Sequence, residues 1–197
     1  MTAIALPAGF VPSTFSLRLS TVQRAYSSPF SGSEQVIDLL NDRWMASMQL
    51  APRTQADAAR VEAFVAAMRG MTNTAALYHF ARKVPRGTMR GTPTVSTLAA
   101  PLAPAMLLAT TPGATLRAGD MIGVVGLLLQ VAQDTAADGG GIMLVNLVNR
   151  LRKVVPGGSV VTWDRPTTPF RLVGTPSQQY VPGYAEGVAL DFVEAIP

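Results

Sequence analysis

The stretch that decides the fold is residues 43–70, RWMASMQLAPRTQADAARVEAFVAAMRG, in which two different periodicities follow each other. Over residues 44–50, apolar side chains recur at every second position, the period of a β-strand that has one buried face. The positions expected to be buried are Trp44, Ala46, Met48 and Leu50. Pro52 ends this strand, because proline lacks the N–H group that a sheet ladder requires.

A helix follows the strand. Thr54 is an N-cap residue, and Asp57 places negative charge in the first turn, where the helix dipole favours it. Apolar residues then recur with 3.6-residue spacing, and Gly70 is placed to end the helix. The sequence therefore predicts a helix over about residues 55–69, the only one in the chain, with its Phe64 face packed on a sheet.

Strand patterns flank the helix on both sides. Polar and apolar side chains alternate over residues 14–22 and again over residues 187–196, and a shorter apolar run covers residues 75–80. Pro and Gly in residues 28–32 predict a turn. We expect the last of these strands to return to the sheet that the earlier ones form.

A second group of short strands occupies residues 115–173. Turns that contain glycine separate the strands, and they lie at residues 119–120, 126, 139–141 and 156–158. Many short strands separated by regular turns are typical of a small barrel or a curled sheet. Residues 95–98 are expected to form a short strand, and the Pro- and Ala-rich residues 99–113 a connection into this second unit.

Together these patterns predict a mainly β fold: a β-sandwich or split barrel flanked by one α-helix, with a second small β-barrel-like unit. The predicted first domain comprises residues 1–98 and 185–197. The predicted second unit, residues 115–173, is inserted between them.

The composition restricts the classes of function. The absence of cysteine excludes disulfide frameworks, thiolate metal sites and cysteine nucleophiles. Only 14% of the residues are charged, so few charged groups would have to be desolvated when a permanent partner binds. The net charge of +4 does not by itself indicate nucleic-acid binding. No apolar run reaches the ~18 residues of a membrane span, so no membrane partner is expected. Residues 1–12 are predicted to be an ordered or docking arm, not a signal peptide.

Few residues suggest catalysis. His79 is the only histidine, which excludes a two-histidine metal site, and its apolar surroundings in the sequence are typical of a packing role. Asp134 and Asp138 could form the carboxylate pair of a glycosidase, but acids beside turn glycines usually cap the turn. We expect no catalytic residue, no cofactor and no metal, and hence a protein that is not an enzyme.

Two basic clusters are the candidate interface. Their members are Arg82, Lys83, Arg86 and Arg90 in the first cluster, and Arg150, Arg152 and Lys153 in the second. Glycine and proline interrupt residues 82–91, which predicts an exposed loop. The clusters could contact DNA phosphates, bind an acidic patch of a neighbouring subunit, or only solvate two loops. No aromatic residues alternate with these cations, so no stacking platform for a single strand is predicted.

Six short landmarks follow one another along the chain. They are SPFSGS at 28–33, RW at 43–44, the helix around Phe64, PRGT at 85–88, AGD at 118–120 and FRL at 170–172. Their order and spacing resemble a family of minor tail proteins of tailed bacteriophages that lie near the distal end of the tail. The resemblance covers about residues 28–173.

This resemblance implies a structural protein of the virion tail, assembled in the host cytoplasm. It implies a β-sandwich or split barrel with one flanking helix that forms a cyclic homo-oligomer, expected to be a hexamer, and joins the tail tube to the hub, fibre or receptor-binding proteins. Two alternatives stay open: a head-to-tail adaptor or tail-completion protein whose basic loops face DNA, and a tail-associated cell-wall hydrolase. Contact with DNA is not the favoured interpretation.

Overall fold

The computed structural model describes residues 2–196, and Met1 and Pro197, the ends of the predicted first domain, lie outside this range. The described residues are mainly β, with 41% in strands and 7% in a single helix, which confirms the predicted class: a sandwich- or barrel-like β fold with one helix. The elements are β1 Thr14–Ser20, β2 Gln23–Ser27, β3 Glu34–Asp38, β4 Arg43–Leu50, α1 Gln55–Met68, β5 Ala75–Leu77, β6 Thr94–Val95, β7 Ala105–Ala109, β8 Thr115–Leu116, β9 Met121–Val124, β10 Leu127–Gln130, β11 Thr135–Ala136, β12 Ile142–Asn146, β13 Val161–Thr162, β14 Thr168–Val173, β15 Tyr180–Val181, β16 Tyr184–Ala185 and β17 Val188–Glu194.

A five-stranded antiparallel sheet, in the order β1-β4-β17-β14-β5, forms the first unit. Strand β4 shows the predicted alternation, with Trp44 and every second residue after it buried. Strand β17 pairs along β4, which confirms that residues 187–196 return to this sheet. Directly paired residues share a face, so Phe192 opposite Ala46 extends the apolar face that β4 begins.

Strand β14 also belongs to this sheet, between β17 and β5. Its placement in the second unit, as the sequence suggested, is wrong, because Phe170 and Leu172 complete the buried face of the first sheet. The strand predicted over residues 75–80 is shorter than expected and ends at Leu77.

Helix α1 covers part of the apolar face. Thr54 is its N-cap, and the Thr54 hydroxyl accepts a hydrogen bond from the Asp57 amide (3.2 Å) as the sequence predicted. Val61, Phe64 and Met68 are buried against the sheet core. The helix ends at Met68, one residue earlier than expected, because both Arg69 and Gly70 adopt a left-handed backbone with φ of 49° and 63°.

The N-terminal arm packs on its own chain. Ala3 forms a parallel bridge with Thr74, and the Ile4 amide donates to the Thr74 carbonyl (2.7 Å). Phe10 is buried in the same core, with its ring centroid 5.6 Å from that of Phe64. The arm is therefore ordered as predicted, but it is fixed within its own subunit.

The second unit is barrel-like, and we call residues 89–163 the barrel. Strands β6, β7 and β12 pair in series, as do β10, β9 and β13. The isolated bridges Val131↔Leu147 and Thr94↔Val160 join the two series at both ends. The connection expected over residues 99–113 instead contains β7, whose Met106 and Leu108 point into the barrel core.

The hairpin of β9 and β10 is a wall shared by both units. Ile122 and Leu129 lie in the barrel core, whereas Met121 and Leu128 lie in the core of the five-stranded sheet. This position explains why the hairpin is almost continuously apolar, since strands buried on both faces have no polar side. The Trp44 indole N–H also donates to the Leu128 carbonyl (2.9 Å) across this boundary.

Candidate interaction surfaces

The first basic cluster lies on an extended segment against the barrel. Pro85, Gly87 and Met89 are buried, whereas Arg86, Thr88 and Arg90, which alternate with them, are exposed. The sequence predicted an exposed loop over residues 82–91, and this prediction is wrong at residues 85, 87 and 89, which are buried. The reason is the close fit at Gly87, where a Cβ atom would lie 2.1 Å from the Thr115 carbonyl oxygen.

The arginines of this cluster bind backbone carbonyls of their own chain. Arg82 donates to the Gly119 carbonyl (2.7 Å), and Arg86 donates to the Ala118 carbonyl. Arg90 donates to the carbonyls of Gly87 (3.0 Å) and Pro85 (3.2 Å). Arg82 and Arg86 thus stabilise the turn 118–120, and Arg90 stabilises its own segment, whereas Lys83 is exposed.

Asp120 joins the segment 85–88 to the turn 118–120. Its side chain is 2% exposed, and one oxygen, Oδ1, accepts the Arg86 amide (2.9 Å). The other, Oδ2, accepts the amides of Gly87 (3.1 Å) and Arg117 (2.8 Å). Two of the sequence landmarks are therefore held together by one buried carboxylate, whose cost of burial is offset by three charge-assisted hydrogen bonds.

The second basic cluster contributes one internal ion pair. Arg152, on the barrel side, lies 2.7 Å from Oε2 of Glu194, which is 3% exposed at the end of β17. The same carboxylate accepts the Trp44 amide (3.0 Å), and it shares the one proton of the Thr168 hydroxyl (3.3 Å) with the Gly126 carbonyl (3.0 Å). Arg152 is therefore a link between the barrel and the sheet. Arg150 is exposed and contacts the Leu102 carbonyl at 3.4 Å.

His79 packs as a neutral structural group. It is buried, with its ring 5.1 Å from that of Phe15, and its burial, followed by the charge of Arg82, lowers the pKa of His79 to about 4. The Arg82 amide and Nε lie 3.0 and 3.1 Å from the two ring nitrogens. A neutral imidazole has one acceptor nitrogen, so only one of these contacts is a hydrogen bond in a given tautomer.

The two aspartates considered for catalysis have structural partners. Asp134 accepts the Ala118 amide and the Arg117 guanidinium, both at 2.8 Å, and these bonds hold the pKa of Asp134 below its usual value. A general acid of a glycosidase needs the opposite shift. Asp138 caps a turn through the amides of Gly140 (2.9 Å) and Ile142 (2.8 Å).

The most exposed feature of the molecule was not predicted from the sequence. Strands β2 and β3 form an antiparallel two-stranded hairpin whose ten residues are all exposed. We call residues 22–39 the ribbon. Its tip is the turn predicted at residues 28–32, and Phe30 there is 98% exposed. The sequence signal that could have found it is a turn centred between two short runs that contain Tyr26 and Val36-Ile37.

A cavity of about 270 Å³ lies where β14 and β17 approach the barrel. Its lining is largely apolar, with Leu127, Pro169 and Ile196 among the contributors. Three cationic side chains also reach it, namely Arg152, Lys153 and Arg171. Of the predicted interface residues, Arg152 and Lys153 thus come together at one concave surface.

Neither a protein-family model nor any curated protein matches this chain. Within residues 2–196, no group of three or more His, Asp or Glu side chains has the arrangement of a metal site. The helix that the structure describes falls short of the length and apolarity needed to cross a bilayer.

Proposed function

We propose that this chain is a structural protein of a tailed-bacteriophage virion. In this proposal it forms a ring, expected to be a hexamer, at or near the distal end of the tail and joins the tail tube to the hub or receptor-binding proteins. It acts through its shape and its contacts, without a catalytic step.

The resemblance to minor tail proteins is one support. The fold is of the class that this resemblance implies, with strands in a sandwich- or barrel-like arrangement and one helix. The landmarks at 85–88 and 118–120, far apart in sequence, meet at Asp120. Two of the motifs that carry the resemblance are therefore in contact, as expected for motifs that belong to one fold.

The observation that carries the proposal is the exposed ribbon. A two-stranded hairpin is marginally stable in water on its own, and contiguous exposed apolar side chains mark sites of association. Apolar side chains of the ribbon, with Phe30 at its tip, are exposed in the single subunit. A protein that assembles permanently would cover this surface.

The alternatives receive less support. If the chain were a head-to-tail adaptor, its basic loops would face DNA. However, Arg82, Arg86 and Arg152 already donate guanidinium N–H groups to acceptors of their own chain. If the chain were a cell-wall hydrolase, Asp134 and Asp138 would act as a catalytic pair. However, both carboxylates accept hydrogen bonds from backbone amides of nearby turns.

Cryo-electron microscopy of the intact virus particle tests the proposal. We expect density for this chain as a ring between the tail tube and the hub. A position at the neck would support the adaptor alternative instead, and absence of the chain from purified particles would contradict a structural role in the virion. As a control, the same particles should show the tail-tube protein at its normal repeat.

A further inference from the structure

The ribbon has two chemically different faces. Val22, Tyr26, Ile37 and Leu39 are exposed and lie on one face, where the pairing Arg24↔Ile37 fixes their side. The opposite face carries Glu34 and Asp38, which pair with Ser27 and Gln23. The only cation of the ribbon, Arg24, lies on the apolar face. One side of the ribbon is therefore mainly apolar, and the other carries both carboxylates beside Ala25 and Val36.

The tip of the ribbon extends away from its base. Five paired residues at about 3.3 Å each give strands of roughly 17 Å, with the turn beyond them. Phe30 in this turn has essentially no contact with its own subunit, since it is 98% exposed. A side chain in this position is available to a different molecule.

The cavity between β14, β17 and the barrel has complementary chemistry. A cavity of about 150 Å³ with apolar walls is enough to hold benzene, so the 270 Å³ here accommodates a phenyl ring. Glu194 at this site is already paired with Arg152. Within residues 2–196, Lys153 and Arg171 form no salt bridge, which leaves two cations at the cavity.

Arg171 supplies a second sign of a missing acceptor. Its Nε atom is buried and has no hydrogen-bond partner among the described residues. A buried donor without a partner is costly, and a carboxylate is the strongest partner for a guanidinium group. The acidic face of the ribbon offers such a group beside the tip, at Glu34, whereas the chain as a whole has a net charge of +4.

We propose that the ribbon of one copy of this chain docks on the next copy, with Phe30 in the cavity and Glu34, the ribbon carboxylate beside the tip, facing Lys153 and Arg171. This inference rests on the proposed function, because it names the contact through which the ring would form. The two surfaces are different, so each subunit offers one ribbon and one cavity. Such a head-to-tail interface closes into a ring when its rotation permits.

Two variants disable the two halves separately. Phe30→Ser removes the tip side chain, and the charge reversal K153E/R171E disables the cavity. Matched controls are Val11→Ser, which removes another exposed apolar side chain (71% exposed), and Lys83→Glu, which reverses an exposed charge in the other basic cluster. Thermal melting of each variant checks the fold. Phe30 makes so few contacts within its own subunit that, at concentrations too low for association, its variant is expected to melt like the wild type.

Sedimentation velocity over a concentration series measures the association. We expect wild type and both controls to form closed oligomers, and each disabled variant to associate at least about 30-fold more weakly, as for the loss of an interface hot spot. An equimolar mixture of the two disabled variants is the decisive sample. Because one partner keeps its cavity and the other keeps its ribbon, the mixture should form a one-to-one dimer and no larger species.

Several results would overturn the inference. They are a wild-type protein that stays monomeric, a Phe30→Ser variant that assembles normally, and a mixture that stays monomeric. Normal assembly of K153E/R171E would exclude the cavity as the receiving surface. The particle map described above judges the proposed function independently, because a ring at the tail end can be present even if its subunits do not meet through the ribbon.

Discussion

Replacing Asp120 with Asn should destabilise the protein far more than an exchange of one atom suggests. The Asp120 carboxylate accepts three backbone amides, one at Oδ1 and two at Oδ2. An asparagine side chain has one oxygen and one NH2 group, so in either orientation at least one buried amide faces another donor.

The size of the effect follows from these contacts. One hydrogen bond to a charged group is lost, a buried donor is left without a partner, and the remaining bonds become neutral, so D120N should lower the free energy of unfolding by about 3 kcal/mol. For a chain of this length that corresponds to a fall in melting temperature of roughly 6–12 °C. Asp138 is the matched control, because it accepts two amides through Oδ1 alone and an asparagine oxygen can replace it. We expect D138N to cost less than about 1 kcal/mol.

Urea unfolding followed by tryptophan fluorescence is the assay. The chain has two tryptophans, Trp44 in the core of the sheet and Trp163 packed on the barrel core, so both units contribute to the signal. If D120N and D138N had the same unfolding midpoint as the wild type, the reasoning from buried acceptors would be refuted.

Three further predictions concern single positions. Val125 and Gly126 form the two-residue turn between β9 and β10, with φ of 48° and 75°. A valine at positive φ is strained, and asparagine tolerates this backbone conformation better, so Val125→Asn should raise the free energy of unfolding in urea by about 1 kcal/mol. A lower free energy of unfolding would contradict this reasoning. Gly87→Ala should destabilise strongly, because its Cβ would meet the Thr115 carbonyl at 2.1 Å, whereas Gly139→Ala, in open space, should change the melting temperature little; equal effects would count against the fit. Folding lowers the pKa of His79 from 6.5 to about 4, so the folded chain favours the neutral imidazole. The contribution of His79 to the free energy of unfolding is therefore complete above pH 6.5 and is lost as the pH falls towards 4. His79→Gln should remove this part of the pH dependence of urea unfolding.

Local patterns predicted the elements that have one buried and one exposed side. Strand β4 and helix α1 are recovered because burial imposes a period of two on Trp44–Leu50 and of 3.6 on the helix, and because Thr54 caps it. Strand β7 was missed although Met106 and Leu108 alternate, since the prolines around it indicated a connection. The ribbon was missed for a different reason: it buries nothing in the subunit, so no burial period marks its strands.

Contacts between distant residues could not be read from the sequence. The pairing of β14 with β17 and β5 depends on which strands meet in space, and the order of strands along the chain suggested the barrel instead. The basic clusters are a similar case. The sequence shows the charge of Arg86 and Arg152, but not that one binds a turn carbonyl and the other Glu194.

The hairpin of β9 and β10 makes the two units inseparable as evolutionary modules. If the barrel were moved to another protein, Met121 and Leu128 would become exposed, and the remaining five-stranded sheet would have a cavity in its core. Recombination that exchanges barrels must therefore carry matching sheet residues such as Trp44 with it. Diversity in this chain is expected to accumulate instead at exposed turns such as residues 138–140, which contribute no side chain to either core.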